Sequence, residues 1–298
     1  MAADIKNLPD FSNFEFSDLS ECLVAGALTP AGAQRFQVLI TNFYRQYGRE
    51  FAWRYSPDAY KIVVSEIMLQ QTQTDRVKYK FELFIQAFPD FQTLAAAEFS
   101  NVLFYWHGLG YNRRALFLHK IAQRVVNDFN GALPDLPEVL VNFGGLGPAT
   151  AASICAFAFN KPVVFIETNI RTVFIHTFFR DSPDKIPDKA LIPLIQATLD
   201  QDNPRAWYYA LMDYGVALKK LYKNPSRKSA HHTKQSKFEG SERQIRGMIL
   251  RALTAHKQVN FKELCSLVPR EPARIKNNLS DLIKDGLVKK NKLFYGIS

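Results

Sequence analysis

The sequence predicts a mainly α-helical protein. From Gly32 to about Lys292 apolar residues return every three or four positions, as in Phe36-Leu39-Ile40-Phe43 and Leu116-Ile121-Val125. That spacing lays one apolar stripe along one helix face. No convincing alternating run marks a strand before the C-terminal end. With 298 residues, 47% hydrophobic and 22% charged, the chain can bury a sizeable core and is expected to form about two domains.

The first 33 residues mix Pro, Asp, Ser and Phe without sustained periodicity and read as an irregular N-terminal extension. Residues 34–222 read as an all-α body. Between Lys219 and Lys237 there are seven basic residues, two histidines and no acid. This segment, with a linker expected at 223–240, is either a solvated connector or an arm that pairs with phosphates. Residues 241–298 read as a separate small domain. Ile245, Met248, Ile249, Ala252 and Leu253 share one helical face, and Ile275, Leu279, Leu282 and Ile283 another, with Gly286 at a helix stop. Leu287-Val288 and Leu293-Phe294-Tyr295, joined by Lys289-Lys290-Asn291-Lys292, predict a β-hairpin. Helices followed by a basic hairpin suggest a winged-helix-like domain. Its twelve basic and five acidic residues leave it at +7, which favours DNA as its partner.

The whole chain carries a formal +10 and a pI near 9.4. Such an excess points to a polyanion, either nucleic acid or an acidic membrane surface. No apolar run approaches the ~18 residues of a membrane span, and no signal-peptide pattern opens the sequence. Three scattered cysteines, Cys22, Cys155 and Cys265, make neither a disulfide framework nor a metal motif. They read as buried, inert thiols in a reducing compartment, and the expected location is cytoplasmic, at the nucleoid.

Four features could carry chemistry. Phe143-Gly144-Gly145-Leu146-Gly147-Pro148 precedes an apolar helix, so its backbone can approach a ligand and the helix start can hold a phosphate. Gly108-Leu109-Gly110-Tyr111-Asn112-Arg113-Arg114 adds an aromatic and two arginines to a tight turn. Tyr111 is either core or a wedge that fills the gap left by a flipped base. Glu66 lies on an otherwise apolar helix, and Glu167 follows the apolar Val163-Val164-Phe165-Ile166. Each is either a helix cap or a buried acid with a purpose.

Taken together, Ser65-Glu66-Ile67-Met68-Leu69-Gln70-Gln71-Thr72-Gln73, Trp106-His107-Gly108-Leu109-Gly110-Tyr111, Leu118-His119-Lys120 and Leu211-Met212-Asp213-Tyr214-Gly215 resemble the helix-hairpin-helix (HhH-GPD) DNA glycosylase superfamily. Within it they are most similar to the bacterial adenine DNA glycosylases of the MutY type. The resemblance covers about residues 38–218. It implies a two-lobed fold, a six-helix barrel domain packed on a second helical domain, with the catalytic pocket in the cleft and the N-terminal helix returning to the second domain. It also implies that Glu66 is the general acid that protonates adenine at N7, kept protonated by an apolar pocket. Glu167 falls at the family's catalytic aspartate, which stabilises an oxocarbenium-like transition state. Gln71 and Tyr111 match residues that wedge into the duplex, Gly145 and Gly147 the phosphate-binding hairpin, and Asn169 a pocket asparagine.

The departures from that pattern are informative. Glu167 replaces Asp, and a shift of roughly 1 Å can cost about a hundredfold in rate unless the pocket compensates. Phe143-Gly144 stand where the hairpin usually has Leu-Pro. Ala149 stands where bifunctional relatives carry a Schiff-base lysine, so no lyase activity is expected. The four-cysteine iron–sulfur loop of the family would fall near Lys219, Ser226, Ser229 and Gln235, so no cluster, and no other cofactor or metal, is expected. The family's larger C-terminal domain, which reads 8-oxoguanine, is replaced by the small basic one.

The sequence therefore predicts a monofunctional, monomeric DNA glycosylase of base excision repair that acts on double-stranded DNA containing a damaged or mispaired base. Its first expected substrate is adenine opposite guanine or 8-oxoguanine. The alternatives are a uracil or thymine glycosylase and, from another class, a non-catalytic DNA-binding regulator. Lys219, Lys220, Arg227 and Lys228 are expected to bind DNA phosphates, and no membrane partner is expected.

Overall fold

The computed structural model describes residues 9–11, 14–54, 58–233 and 237–298. A two-residue hairpin, β1 (Leu23–Val24) with β2 (Ala27–Leu28), precedes α1 (Pro30–Tyr47). Then come α2 (Ala59–Leu69), α3 (Thr74–Ala87), α4 (Phe91–Ala96), α5 (Phe99–Trp106) and α6 (Arg113–Phe129). After the short α7 (Pro137–Leu140) follow α8 (Pro148–Phe159), α9 (Thr168–Phe178), α10 (Asp188–Thr198) and α11 (Pro204–Leu221). The C-terminal region runs α12 (Glu242–His256), β3 (Gln258–Asn260), α13 (Phe261–Leu267), α14 (Pro272–Lys284), β4 (Val288–Asn291) and β5 (Phe294–Ile297). The mainly helical fold is as the sequence predicts.

The chain divides into two compact units. The first is Met1–Ile62 with Asp135–Asn142 and Leu146–Lys234; the second is Val63–Pro134 with Phe143–Gly145 and Gln235–Ser298. Helix α1 joins the unit of α8–α11, the return that the resemblance implies. It starts where Thr29 accepts a hydrogen bond from the Gly32 amide, with Pro30 in its first turn. Phe36, Ile40 and Phe43 on its buried face meet α9, α10 and α11, where Phe174, Phe178, Trp207 and Tyr214 complete an aromatic core.

The N-terminal segment is packed, which its sequence does not signal. Phe11, Phe16, Leu19 and Cys22 are buried in the first unit, with the Phe16 ring 5.1 Å from that of Tyr214. Aromatic anchors spaced by turns carry no period, so only tertiary packing reveals them. Met1–Leu8, Ser12 and Asn13 lie outside the described residues.

The basic stretch also differs from a free connector. Asn224 caps a 3-10 turn over Pro225–Lys228, and Ser226 and Ser229 are buried. The Ile186 amide donates to the Lys228 carbonyl at 2.8 Å, and the Ala230 amide to that of Ile186 at 3.0 Å. These backbone bonds dock the segment beside α9, whereas Lys234, Gln235 and Ser236 lie outside the described residues.

In the second unit α4, α5 and α6 pack around Leu94, Val102, Leu103, Trp106, Leu118 and Ile121. The C-terminal elements of this unit form a three-stranded antiparallel sheet in the order β3-β5-β4 against α12. Helix α14 stops before Gly286, whose φ of +76° suits glycine. The predicted hairpin is present, but Lys289, Lys290 and Asn291 lie inside β4 and the turn falls at Lys292-Leu293. Strand β3 is three residues long, too short for an alternating signature. Among the cysteines, Cys22 and Cys155 are buried and Cys265 is only half-buried; burial pushes the Cys155 thiol up to about 11.

Candidate active site and nucleic-acid interface

Glu66 sits half-buried on α2, flanked by the buried Val63, Val64, Ser65, Ile67 and Met68. The last carbonyls of a helix have no partners within it. Here Arg114 supplies them. Its guanidinium donates to the carbonyl oxygens of Ile67 at 2.8 Å, Met68 at 2.9 Å and Gln70. The other terminal nitrogen donates to Thr72 Oγ1 at 2.9 Å and to the carbonyls of Leu109 at 3.2 Å and Gly110 at 3.1 Å. One side chain thus ties the end of α2 to the turn before α6. Trp106 Nε1 donates to the Gly110 carbonyl at 3.1 Å and reinforces that turn. Burial pulls the Arg114 guanidinium down to about 10, so it remains cationic near neutral pH.

The brace sets two unusual backbone corners. Gln71 has φ +54° and Tyr111 φ +47°, the left-handed region that residues with a Cβ adopt at a cost of order 1–3 kcal/mol each. Both are exposed, Tyr111 to 37%. The Tyr111 hydroxyl accepts a hydrogen bond from Arg243, on α12, at 2.7 Å. Its ring lies 5.5 Å from the Arg114 guanidinium and 5.7 Å from that of Arg243. The sequence reading noted Arg114 only as a charge in a tight turn and missed Arg243. An arginine two residues into a distant helix gives no signal for a contact with Tyr111.

In the glycine-rich hairpin, Gly145 has φ +88°, and a Cβ there would come within 2.5 Å of the Phe117 ring. Only glycine fits. Gly144 has room for a Cβ, so its replacement of proline is not a steric demand. Phe143 is buried, with its ring 5.6 Å from Phe129 and the Arg124 guanidinium 4.3 Å from its centroid. Gly147 is the N-cap of α8 and offers no side-chain oxygen to the first amides, which suits a helix start that receives an anion.

Glu167 is the N-cap of α9. Its Oε1 accepts from the amides of Asn169 at 2.7 Å and Ile170 at 3.0 Å, and Oε2 accepts from Asn169 Nδ2 at 3.3 Å. The carboxylate is therefore fixed in direction at the positive end of the helix. Both readings of Glu167 meet here, because a cap can also be a positioned acid. Asn169 Oδ1 in turn accepts from Lys219 Nζ at 2.7 Å. Burial pulls the Lys219 ammonium below its ordinary value, against the opposing charge of Glu167. Gly215 lets α11 approach α9, since a Cβ there would lie 2.7 Å from the Asn169 carbonyl oxygen. Glu167, Asn169 and Lys219 thus form one chain of contacts.

The four expected phosphate-binding cations split. Lys219 donates to Asn169 within the protein, as just described. Lys220 donates to the Pro9 carbonyl at 3.0 Å, and Lys228 to the carbonyls of Arg180 and of Ser182, the latter at 3.1 Å. The Arg227 side chain is exposed and has no partner among the described residues. No group of three or more His, Cys, Asp or Glu placed to hold a metal occurs among the described residues. No described helix is long and apolar enough to cross a membrane.

A model of the HhH-GPD superfamily of base excision DNA repair proteins matches residues 64–192. The adenine DNA glycosylase of Buchnera aphidicola subsp. Baizongia pistaciae is 34% identical over 191 residues, 64% of this chain and 54% of that protein. The adenine DNA glycosylase of Mycolicibacterium smegmatis is 28% identical over 273 residues, 84% of this chain and 92% of that protein. The chain spans about half the length of the Buchnera relatives that it matches. Among solved structures, a thermostable thymine-DNA glycosylase superposes with a TM-score of 0.57 at 24% identity, covering 66% of this chain and 92% of that one, a likeness of fold. The segment 64–192, which contains Glu66, the Tyr111 turn, the glycine hairpin and Glu167, is thus the part of the chain that is similar to the HhH-GPD superfamily of base excision DNA repair proteins.

Proposed function

We propose that this protein is a monofunctional DNA glycosylase that removes adenine mispaired with guanine or 8-oxoguanine from double-stranded DNA. The observation that carries the reading is the Arg114 brace, which holds the exposed corners Gln71 and Tyr111 at the end of the helix that bears Glu66. A wedge must be rigid to hold a duplex open while the extruded base is processed. In this reading Glu66 donates a proton to N7 of the flipped adenine, which turns a poor leaving group into a neutral one. The Glu167 carboxylate faces the positive charge that develops on the sugar, and Asn169 and Lys219 hold its direction. Water completes the hydrolysis. Ala149 cannot form an imine, so the abasic strand stays intact.

The residues present do not suit an iron–sulfur cluster. Ser226 and Ser229 are buried hydroxyls, and Lys219 is committed to Asn169, so no thiolate is available at those positions. The C-terminal elements would bind the duplex as a winged-helix-like module. Support comes from their +7 charge, the exposed Lys289 and Lys290 of β4, and the hold of Arg243 on Tyr111.

A panel of duplexes tests this. Each carries adenine, hypoxanthine, uracil, thymine or an oxidised base opposite every normal base, and excision is read as strand cleavage after hot alkali. Adenine opposite guanine or 8-oxoguanine is the expected substrate, with no cleavage before alkali. Preferential release of uracil or thymine would contradict the substrate. Tight binding without any excision would favour a regulator.

A further inference from the structure

Beyond base excision, we propose that a cavity beside the end of α9 is a binding site for a nucleoside monophosphate. The cavity, of about 420 Å³, lies entirely within the first unit, between Ile175, His176 and Arg180 on one side and residues 222–228 on the other. That volume falls in the range of small-molecule sites, about 300–1,000 Å³.

Its charge is one-sided. Arg180, Lys223, Arg227 and Lys228 line it, and no carboxylate does. Asp18, 3.6 Å from Arg180, offsets one of these cations. Lys228 donates to neutral carbonyl oxygens, which leaves its charge uncompensated. Lys223 and Arg227 are exposed, and their side chains have no partner among the described residues. An anion is the ligand that such a rim attracts.

The walls are largely apolar. Tyr222 is 40% exposed, and its ring meets the His176 ring at a tilt, with centroids 4.5 Å apart. Ile175 and Pro225 extend the surface. An exposed aromatic face beside uncompensated cations matches a planar base carrying a phosphate, since bases of any identity stack on such rings. Inorganic phosphate would leave the tyrosine unused, and a nucleoside would leave the cations unpaired.

His176 adds a hydrogen-bond demand. The Arg180 guanidinium, which can only donate, lies 3.4 Å from Nδ1, so Nδ1 accepts and the ring proton resides on Nε2. Burial and the Arg180 charge hold this imidazole down to about 4, so it is neutral at pH 7. Nε2–H is buried and has no partner among the described residues.

Isothermal titration of the full chain with deoxyadenosine monophosphate, deoxyadenosine and inorganic phosphate tests the site, with no excision involved. The monophosphate should bind one to one, and the other two at least about tenfold more weakly. Tyr222→Ala and Lys223→Glu should each weaken the monophosphate by about fivefold or more while leaving the melting temperature near that of the wild type. An oligonucleotide with a 5′-phosphate that competes, where its 5′-hydroxyl form does not, assigns the site to a strand end; failure of both to compete assigns it to the free nucleotide. Absence of monophosphate binding at millimolar concentration, or binding untouched in both variants, overturns the proposal. Either result leaves the glycosylase reading where its own panel puts it.

Discussion

Arg54 in the first unit and Arg114 in the second each carry a guanidinium group largely withdrawn from water. Their surroundings differ in one respect. Arg54 meets Asp213 of α11 through two hydrogen bonds of 2.8 and 2.9 Å, and Asp213 also accepts from the backbone and side chain of Arg49. Burial works against the Arg54 charge, but Asp213 outweighs it and the guanidinium is held above its ordinary value. Arg114 has only carbonyl and hydroxyl oxygens as acceptors, and burial outweighs the opposing influence of Tyr111, so its value falls to about 10. Asp213 therefore locks a segment of the first unit onto its core by charge. Arg114 instead spends its directional donors on loop geometry. Stability should reside in the one and site shape in the other.

The strongest way to break that contrast is Asp213→Ala. It strands two cations, Arg54 within the core and Arg49 beside it, and should cost about 3–5 kcal/mol in urea unfolding. A loss near zero would mean that the cluster is not a lock. Arg114→Met should act on excision more than on folding. Misplacing Gln71 and Tyr111 by roughly 1 Å is expected to lower single-turnover excision about a hundredfold. Arg114→Lys should not restore it, because three donors on one ammonium cannot span acceptors on two loops. Excision that fell only in proportion to stability would remove the distinction.

A smaller effect is expected for Glu167→Asp. The shorter side chain retreats from the amides of Asn169 and Ile170 and from the sugar, so excision should fall by about tenfold, with the step visible in kcat rather than KM. A faster variant would mean that the pocket is not built around the longer acid. The smallest effect should follow Arg243→Ala, which removes one hydrogen bond to the Tyr111 hydroxyl at an exposed position. Duplex affinity should drop by about fivefold, or about 1 kcal/mol, in a titration at fixed salt.

How legible these features were depended on the range of the interactions that make them. Helical stripes such as Phe36-Leu39-Ile40-Phe43 and the helix stop at Gly286 are local, and the sequence displayed them directly. Glu66, Tyr111, Gly145 and Glu167 were found because short motifs surround them. The burial of Phe11 and Phe16 and the docking of residues 224–230 rest on partners far away in the chain, which no period announces. Lys219 illustrates the limit best. In sequence it opens a basic run that reads as a phosphate arm, yet it lies in the last turn of α11, one helical turn beyond Gly215, where the close approach to α9 delivers its ammonium to Asn169. The role of Arg114 was hidden for the same reason, since four of its six acceptors lie more than forty residues back on α2 and the loop that follows it.

Glu66 is the residue on which the proposed chemistry turns. Single-turnover excision of adenine opposite 8-oxoguanine should be compared between the wild type and Glu66→Gln, with duplex binding measured in parallel. The amide keeps the size and hydrogen-bonding shape of the acid but cannot transfer a proton to N7. Excision should therefore fall by roughly 10²–10⁴-fold while the duplex is still bound. Adenine release by Glu66→Gln at the wild-type rate would contradict the account.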